Sequence, residues 1–408
     1  MRLVLSISAW WVIWLFISII GPHNLDSVSY NAAISTLIFV ISLILGSSLV
    51  AQVKTANPPS RHYYETSAKF SYFILIPFVI LQLPLLYAML IDLLEGVPMK
   101  DMRANLFLGQ RFSNLEKLVF NWSSGITFNY LLLAGMSYQL LYKKNTFNWL
   151  LITCVIISAI LKGARGEIYL LIMVSVFLLT ILPKSSIKKI IKDYKYQVLW
   201  SMLLATISLI GITYLRSGIE FSNQIIDYHA VGFVLFSKYL AGYNCGMIIP
   251  TYSVASFFGG IDYLVGLVAR QISLDDLHNF SKASVQCQDA GLITSVFTSE
   301  VSNREYYSVN TNNAFYTLLV SGYNFMGNLG IAIMGVMFGA ILRFLELKTK
   351  QGDLIYTHYL ILTITILIMG IFGNALDSVL LYFTLIIINI KSIYLKFADR
   401  SKISNTEN

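Results

Sequence analysis

An all-α polytopic membrane protein is the fold class this sequence predicts, and three observations predict it. Of its 408 residues, 56% are hydrophobic and 12% are charged, and the mean hydropathy is +0.67. A soluble domain carries roughly a quarter charged residues. Several apolar runs reach the ~20 residues a helix needs to cross a bilayer. The runs are also continuous, whereas the strands of a membrane barrel alternate polar and apolar positions.

About ten spans are expected, starting near Leu3, Ala32, Phe70, Val119, Phe147, Glu167, Val198, Asn328, Leu354 and Ser378. The first is a retained span and not a signal peptide. Residues 3–20 are too long for a typical signal core, contain Trp10, Trp11 and Trp14, and lack a small-x-small cleavage site before Gly21. The runs from Phe147 and Glu167 are short and form a tight hairpin.

Charge then orients the spans. Arg2, Lys54, Arg61, Lys69, Lys143, Lys144, the lysines between 184 and 195, Arg343, Lys348, Lys350 and the tail residues Lys391, Lys396, Arg400 and Lys402 all fall to one side. They make up most of the 29 basic residues. Short loops rich in Lys and Arg stay in the cytoplasm, so both termini are expected there. The net charge of +8 is thereby a topology signal at lipid headgroups and not a footprint for nucleic acid.

The organisation that follows has a bundle of about seven spans over residues 1–215, a large polar segment over 216–313 on the outer face, and about three spans with a cytoplasmic tail over 314–408. Within the long segment, residues 230–240 and 260–268 are apolar enough to lie along the membrane surface as amphipathic helices. Cys154 lies in an apolar run as a packing residue, while Cys245 and Cys287 share the long segment, where an oxidising compartment pairs them or leaves them free. The expected span interiors hold almost no ionisable groups, which speaks against a transporter with a charged central cavity.

The residues with chemistry to offer cluster on the expected outer side. The turn Lys162-Gly163-Ala164-Arg165-Gly166-Glu167 is held close to the membrane by its two flanking runs. Its glycines let the backbone bend, and Arg165 presents a planar fork suited to phosphate. Arg216 ends an apolar run on the same face, against the usual inside bias for Arg. Snorkelling at the interface explains either arginine equally well. Arg270 and Arg304 lie in the long segment, where charges are ordinary. His229 beside Asp227, and His278 beside Asp275 and Asp276, are the acid-base candidates, against the plainer reading of surface histidines. Neither cluster has metal-ligand spacing, and no phosphate-binding loop, serine-hydrolase elbow or zinc-protease pattern occurs. Asn312, Asn313 and Tyr316 can hydrogen-bond sugar hydroxyls; the glycines between 322 and 330 then interrupt an apolar stretch, a pattern that small-residue helix packing also explains.

Taken together, the span pattern, Gly163-Ala164-Arg165-Gly166 and Asn312-Asn313-Ala-Phe-Tyr316 followed by glycines resemble the Wzy-type O-antigen (oligosaccharide repeat unit) polymerases. Ala164 stands where that family often has Ser. The resemblance implies a GT-C-like polymerase/ligase architecture in the bacterial inner membrane, with a periplasmic active site. It implies a glycosyltransferase that moves the growing chain from undecaprenyl pyrophosphate to the terminal sugar of a new undecaprenyl-pyrophosphate-linked repeat unit. No cofactor or metal is implied, and a chain-length regulator protein is the expected companion. On this expectation Arg165 and Arg216 clamp the pyrophosphate with help from Arg270, His278 or His229 activates the acceptor, and Asn312, Asn313 and Tyr316 hold sugar. The alternatives are an O-antigen ligase, which shares donor and topology, and a lipid-linked oligosaccharide flippase.

Overall fold

The computed structural model describes residues 1–21, 27–51, 61–97, 114–141, 166–182, 221–241, 317–371 and 379–406. Among the described residues every regular element is a helix: α1 (Arg2–Ile20), α2 (Tyr30–Ser48), α3 (Arg61–Ile80), α4 (Leu83–Leu94), α5 (Asn114–Leu141), α6 (Gly166–Leu179), α7 (Phe221–Leu240), α8 (Leu319–Lys350), α9 (Leu354–Met369) and α10 (Val379–Thr406). Four stretches are long and apolar enough to cross a bilayer, namely Arg2–Ile20, Tyr30–Ser48, Leu319–Lys350 and Leu380–Ala398. The α3–α4 pair also qualifies if its 48° bend lies within one span. The chain is thus all-helical in its described parts and built as a multi-pass membrane protein. The expected spans from Phe147 and Val198 lie outside the described residues, as do all three cysteines.

Local signals explain the helix ends. Gly21 takes the left-handed conformation (φ 68°) and closes α1 with its N–H on the Ser18 carbonyl. The Ser29 hydroxyl caps α2 by accepting from the Ala32 N–H. Asp353 caps α9, its Oδ1 accepting from the N–H groups of Ile355 and Tyr356. The α3–α4 bend falls just before Pro84, whose ring has no N–H to continue the ladder. Gln82 fixes the bend by donating to the Phe78 carbonyl and to Thr127 Oγ1 of α5.

The exposed face of α1 is as apolar as its buried face. Leu3, Ile7, Trp11 and Leu15 are buried, while Leu5, Ile13, Phe16 and Ile20 are exposed. A helix that is hydrophobic all round belongs in lipid or in a large core, and a half-exposed one therefore faces lipid.

The chain divides into two compact units, each drawn from separate parts of the sequence. The first comprises Met1–Val53, Ser222–Leu345 and Thr363–Tyr382; the second comprises Lys54–Phe221, Glu346–Leu362 and Phe383–Asn408. In the first unit, Trp11 is fully buried, rests on Phe39 and Phe233, and donates its indole N–H to the Leu367 carbonyl at 3.0 Å. Helices α2 and α8 cross with backbones touching. A methyl group at Gly46 would strike the Val336 carbonyl, one at Gly339 the Leu43 carbonyl, and one at Gly335 would lie 2.7 Å from the Phe39 oxygen. Helix α7 departs from the expected surface helix: residues 229–237 are all buried, so its apolar side chains are wrapped on every face instead of lying half in solvent. The reason is its contact with α1, which packs Trp11 against Phe233 and bonds Ser18 Oγ to the Ala230 carbonyl.

Candidate functional site

Two places in the fold concentrate polar groups. The first is a break in α8. At Met326 and Gly327 the helical geometry fails, with Gly327 at φ 59° and ψ −141°, a region that costs only glycine little. In a straight helix residues 322 and 330 would stand about 12 Å apart. Here a methyl group at Gly330 would collide with the Gly322 carbonyl, and one at Gly322 would lie 3.1 Å from Ile331 Cα. The chain therefore folds back on itself, and only the absence of side chains at Gly322 and Gly330 permits it. Neighbours pin the break. Tyr239 donates its hydroxyl to Asn324 Oδ1, and Ser35 donates to Asn328 Oδ1 at 2.6 Å. Both amide oxygens are thereby occupied, while the two NH2 groups remain available as donors among the described residues. Met326 and Leu329 are exposed beside them.

The second place is the interior of the second unit. Lys391, in the candidate span Leu380–Ala398, has no exposed surface. Its Nζ lies 2.9 Å from Ser71 Oγ, 3.1 Å from His358 Nε2 and 3.3 Å from the Tyr138 hydroxyl. These three acceptors match the three N–H bonds of an ammonium. The rings of Tyr138 and Tyr130 present their faces at 5.3 Å and 5.5 Å, where a cation is favoured. The network extends outward from there. Tyr138 donates to Ser67 Oγ, Ser71 bonds Tyr130 at 3.0 Å, and Ser137 Oγ meets His358 Nδ1 at 2.8 Å. Ser67, Ser71, Tyr130, Ser137, Tyr138, His358 and Lys391 are all buried. Among the described residues no carboxylate lies within ion-pair distance of Lys391.

No family model matches the chain, and no significant match to a curated protein or to a solved structure was found.

Of the residues the sequence singled out, Arg165, Arg216, Arg270, His278, Asn312, Asn313 and Tyr316 lie outside the described residues. Gly166, the last glycine of the Arg165 turn, opens α6, and among the described residues nothing stands within 4 Å of where its side chain would be. His229 is described. Its ring is buried, stacked on Trp14 at 4.2 Å and met edge-on by Trp10 at 5.8 Å. Two indoles of α1 thus cover the imidazole. Among the described residues no group of three His, Cys, Asp or Glu is placed to hold a metal ion.

Sequence reasoning missed Lys391 and His358. Lys391 was expected in the cytoplasmic tail, and the structure corrects this: α10 runs on to Thr406, with Lys391 inside its apolar window. The expectation of span interiors nearly free of ionisable groups fails at the same place. The missed signal was a lysine only about a dozen residues into an apolar run that needs ~20 to cross. A charge within a span is a functional candidate by default.

Proposed function

We propose that this chain is a polysaccharide polymerase of the O-antigen type, acting on oligosaccharides carried by a lipid pyrophosphate at the outer face of the membrane. The observation that carries the proposal is the break in α8. It comes after Asn312-Asn313-Ala-Phe-Tyr316 in the sequence, in the helix that the glycines interrupt, and leaves the Asn324 and Asn328 NH2 groups as donors among the described residues, next to exposed Met326 and Leu329. A lipid-linked sugar needs that pairing of amide donors for its hydroxyls or phosphate with apolar surface for its isoprenoid chain. Irregular backbone at membrane depth is also tolerated only against protein or a wet cavity.

In the reaction, the acceptor hydroxyl attacks the anomeric carbon of the growing chain and the bond to pyrophosphate breaks. Arg165 and Arg216, assisted by Arg270, meet the negative charge that develops on the leaving group. A base takes the hydroxyl proton. With His229 covered by Trp14 and Trp10, His278 is the stronger assignment for that base. Asn312, Asn313 and Tyr316 hold sugar. A glycosyl pyrophosphate is already activated, so neither nucleotide nor cofactor enters the scheme. The enzyme on this reading is an inner-membrane protein with cytoplasmic termini that works beside a chain-length regulator.

The test is a lipopolysaccharide gel from the native strain with the gene deleted and then restored. Loss of the ladder with core plus one repeat retained supports the polymerase. Bare core with polymer accumulating on the lipid carrier assigns the ligase instead. An Arg165→Ala allele is expected to leave protein level intact and abolish long chains, and normal chains from it would sink the clamp.

A transport reading gains one specific observation, the buried Lys391–His358 cluster, since charged groups inside spans often line ion pathways. Bare core with no polymer on the outer face would favour it.

A further inference from the structure

We propose that Lys391 and His358 together form a binding site for a single proton inside the membrane-spanning helices, loaded and emptied through Ser137. This site is separate from the polymerisation chemistry and stands whether or not that reading holds.

Lys391 Nζ, His358 and Ser137 Oγ form a row of contacts, 3.1 Å from Nζ to Nε2 and 2.8 Å from Nδ1 to Oγ. In the loaded form the Lys391 ammonium donates to Ser71 Oγ, Tyr138 OH and His358 Nε2, and His358 Nδ1–H donates to Ser137 Oγ. In the empty form Lys391 is an amine. It keeps its bonds to Ser71 and Tyr138 and accepts from His358 Nε2–H, while the Ser137 hydroxyl donates to Nδ1. The two forms differ by one proton and use the same heavy-atom positions. Between them, one proton passes from Nζ to Nε2, a second passes from Nδ1 to Ser137 Oγ, and the hydroxyl's own proton leaves to water. Only N–H and O–H bonds change, and loading is the exact reverse.

The surroundings are built for one charge and no more. Helix α3 contributes Ser67 and Ser71, and Tyr72 near Tyr138; α5 contributes Tyr130, Ser137 and Tyr138; α9 contributes His358. None of these groups is a carboxylate. Ser71 Oγ donates to the Ser67 carbonyl at 3.0 Å, so its lone pairs are left for Lys391 and Tyr130. A second proton on His358 would remove the acceptor at Nε2 and set two cations 3.1 Å apart. Ser137 is itself fully buried, so exchange waits on transient hydration of the row. A polar lock that only tied helices together would need one of the two forms, and would hold His358 in one tautomer.

The tautomer is the readout. The full chain, labelled with nitrogen-15 histidine, is reconstituted in lipid bilayers and its ring nitrogens are followed by solid-state NMR from acidic to alkaline pH. Ser137→Ala removes the bond to Nδ1 alone, so the resonance it shifts identifies His358. The expected result is a change of His358 from the Nδ1–H to the Nε2–H tautomer as pH rises, with that change lost in Lys391→Met. A single tautomer across the whole range in the unmodified protein overturns the proposal, as does an imidazolium at acidic pH. If Lys391→Met does not fold, the titration of the unmodified chain still decides.

Discussion

Where α2 crosses α8, the contact is backbone against backbone, made possible by Gly46, Gly335 and Gly339. Where α3, α5, α9 and α10 meet around Lys391, the contact is a net of side-chain oxygens and nitrogens spread over four helices. Both solve the same problem. In lipid, apolar side chains gain little by leaving one hydrocarbon phase for another, so helices associate through close packing or through hydrogen bonds. The glycine crossing gains dispersion and Cα–H···O contacts and tolerates no added volume. In the polar net every member depends on the protonation and donor state of the others. The first contact is a fixed joint, and the second can exist in more than one state.

The largest effect is expected at the fixed joint. Gly339→Val places a branched side chain against the Leu43 carbonyl and the Ser47 backbone, which belong to a helix and cannot yield as a flexible side chain would. Loss of monodisperse protein in detergent is expected, measured by size-exclusion chromatography. Gly166→Ala is the control, because among the described residues nothing lies within 4 Å of its added methyl group and helix propensity favours alanine. If Gly339→Val behaves like Gly166→Ala, the close crossing is not what joins α2 to α8.

The next effect concerns the polar net. His358→Leu takes away one acceptor and leaves a Lys391 N–H buried without a partner, a loss of about 1–3 kcal/mol and more for a charged donor. Lys391→Met in the same chain removes the stranded donor and restores much of the loss, since a buried charge replaced by an apolar chain of like size is often neutral. Reversible unfolding in mixed micelles measures both. Strict additivity of the two substitutions would contradict the coupling drawn from their 3.1 Å contact.

What the sequence made legible divides along the same line. Helices α1, α2, α8 and α9 follow from apolar runs bounded by Gly21, Ser29 and Asp353, all local signals. The break in α8 was marked by the glycines from 322 to 330, although the fold-back at Met326–Gly327 needed the structure. The polar net was not legible, because its defining contact joins Lys391 to Ser71, 320 residues away. Counting basic residues by loop treats every lysine as solvated. Whether one is buried depends on acceptors supplied by other helices, and no window along the chain contains those. His229 was visible as a histidine beside an acidic residue, but its stacking on Trp14 of α1 was not, for the same reason.

The smallest effect sharpens the comparison most. Tyr138→Phe keeps the ring over Lys391 and removes the hydroxyl that accepts from Nζ and donates to Ser67. Single interhelical hydrogen bonds in membrane bundles average about 0.6 kcal/mol, with maxima near ~1.7 kcal/mol. The contact to Nζ that is lost is the longest of the three, at 3.3 Å, so a loss within that range and below that of His358→Leu is expected from mixed-micelle unfolding, with the ring–cation contact preserved. Ser67→Ala removes only the outer bond of the same chain and is expected to cost less than Tyr138→Phe. The pair of measurements separates the two roles of one hydroxyl. Equal costs would mean that the 3.3 Å contact from Lys391 adds nothing and that Tyr138 serves only to tie α5 to α3. A larger cost for Tyr138→Phe places the tyrosine among the groups that hold the buried ammonium, which the glycine crossing has no counterpart for.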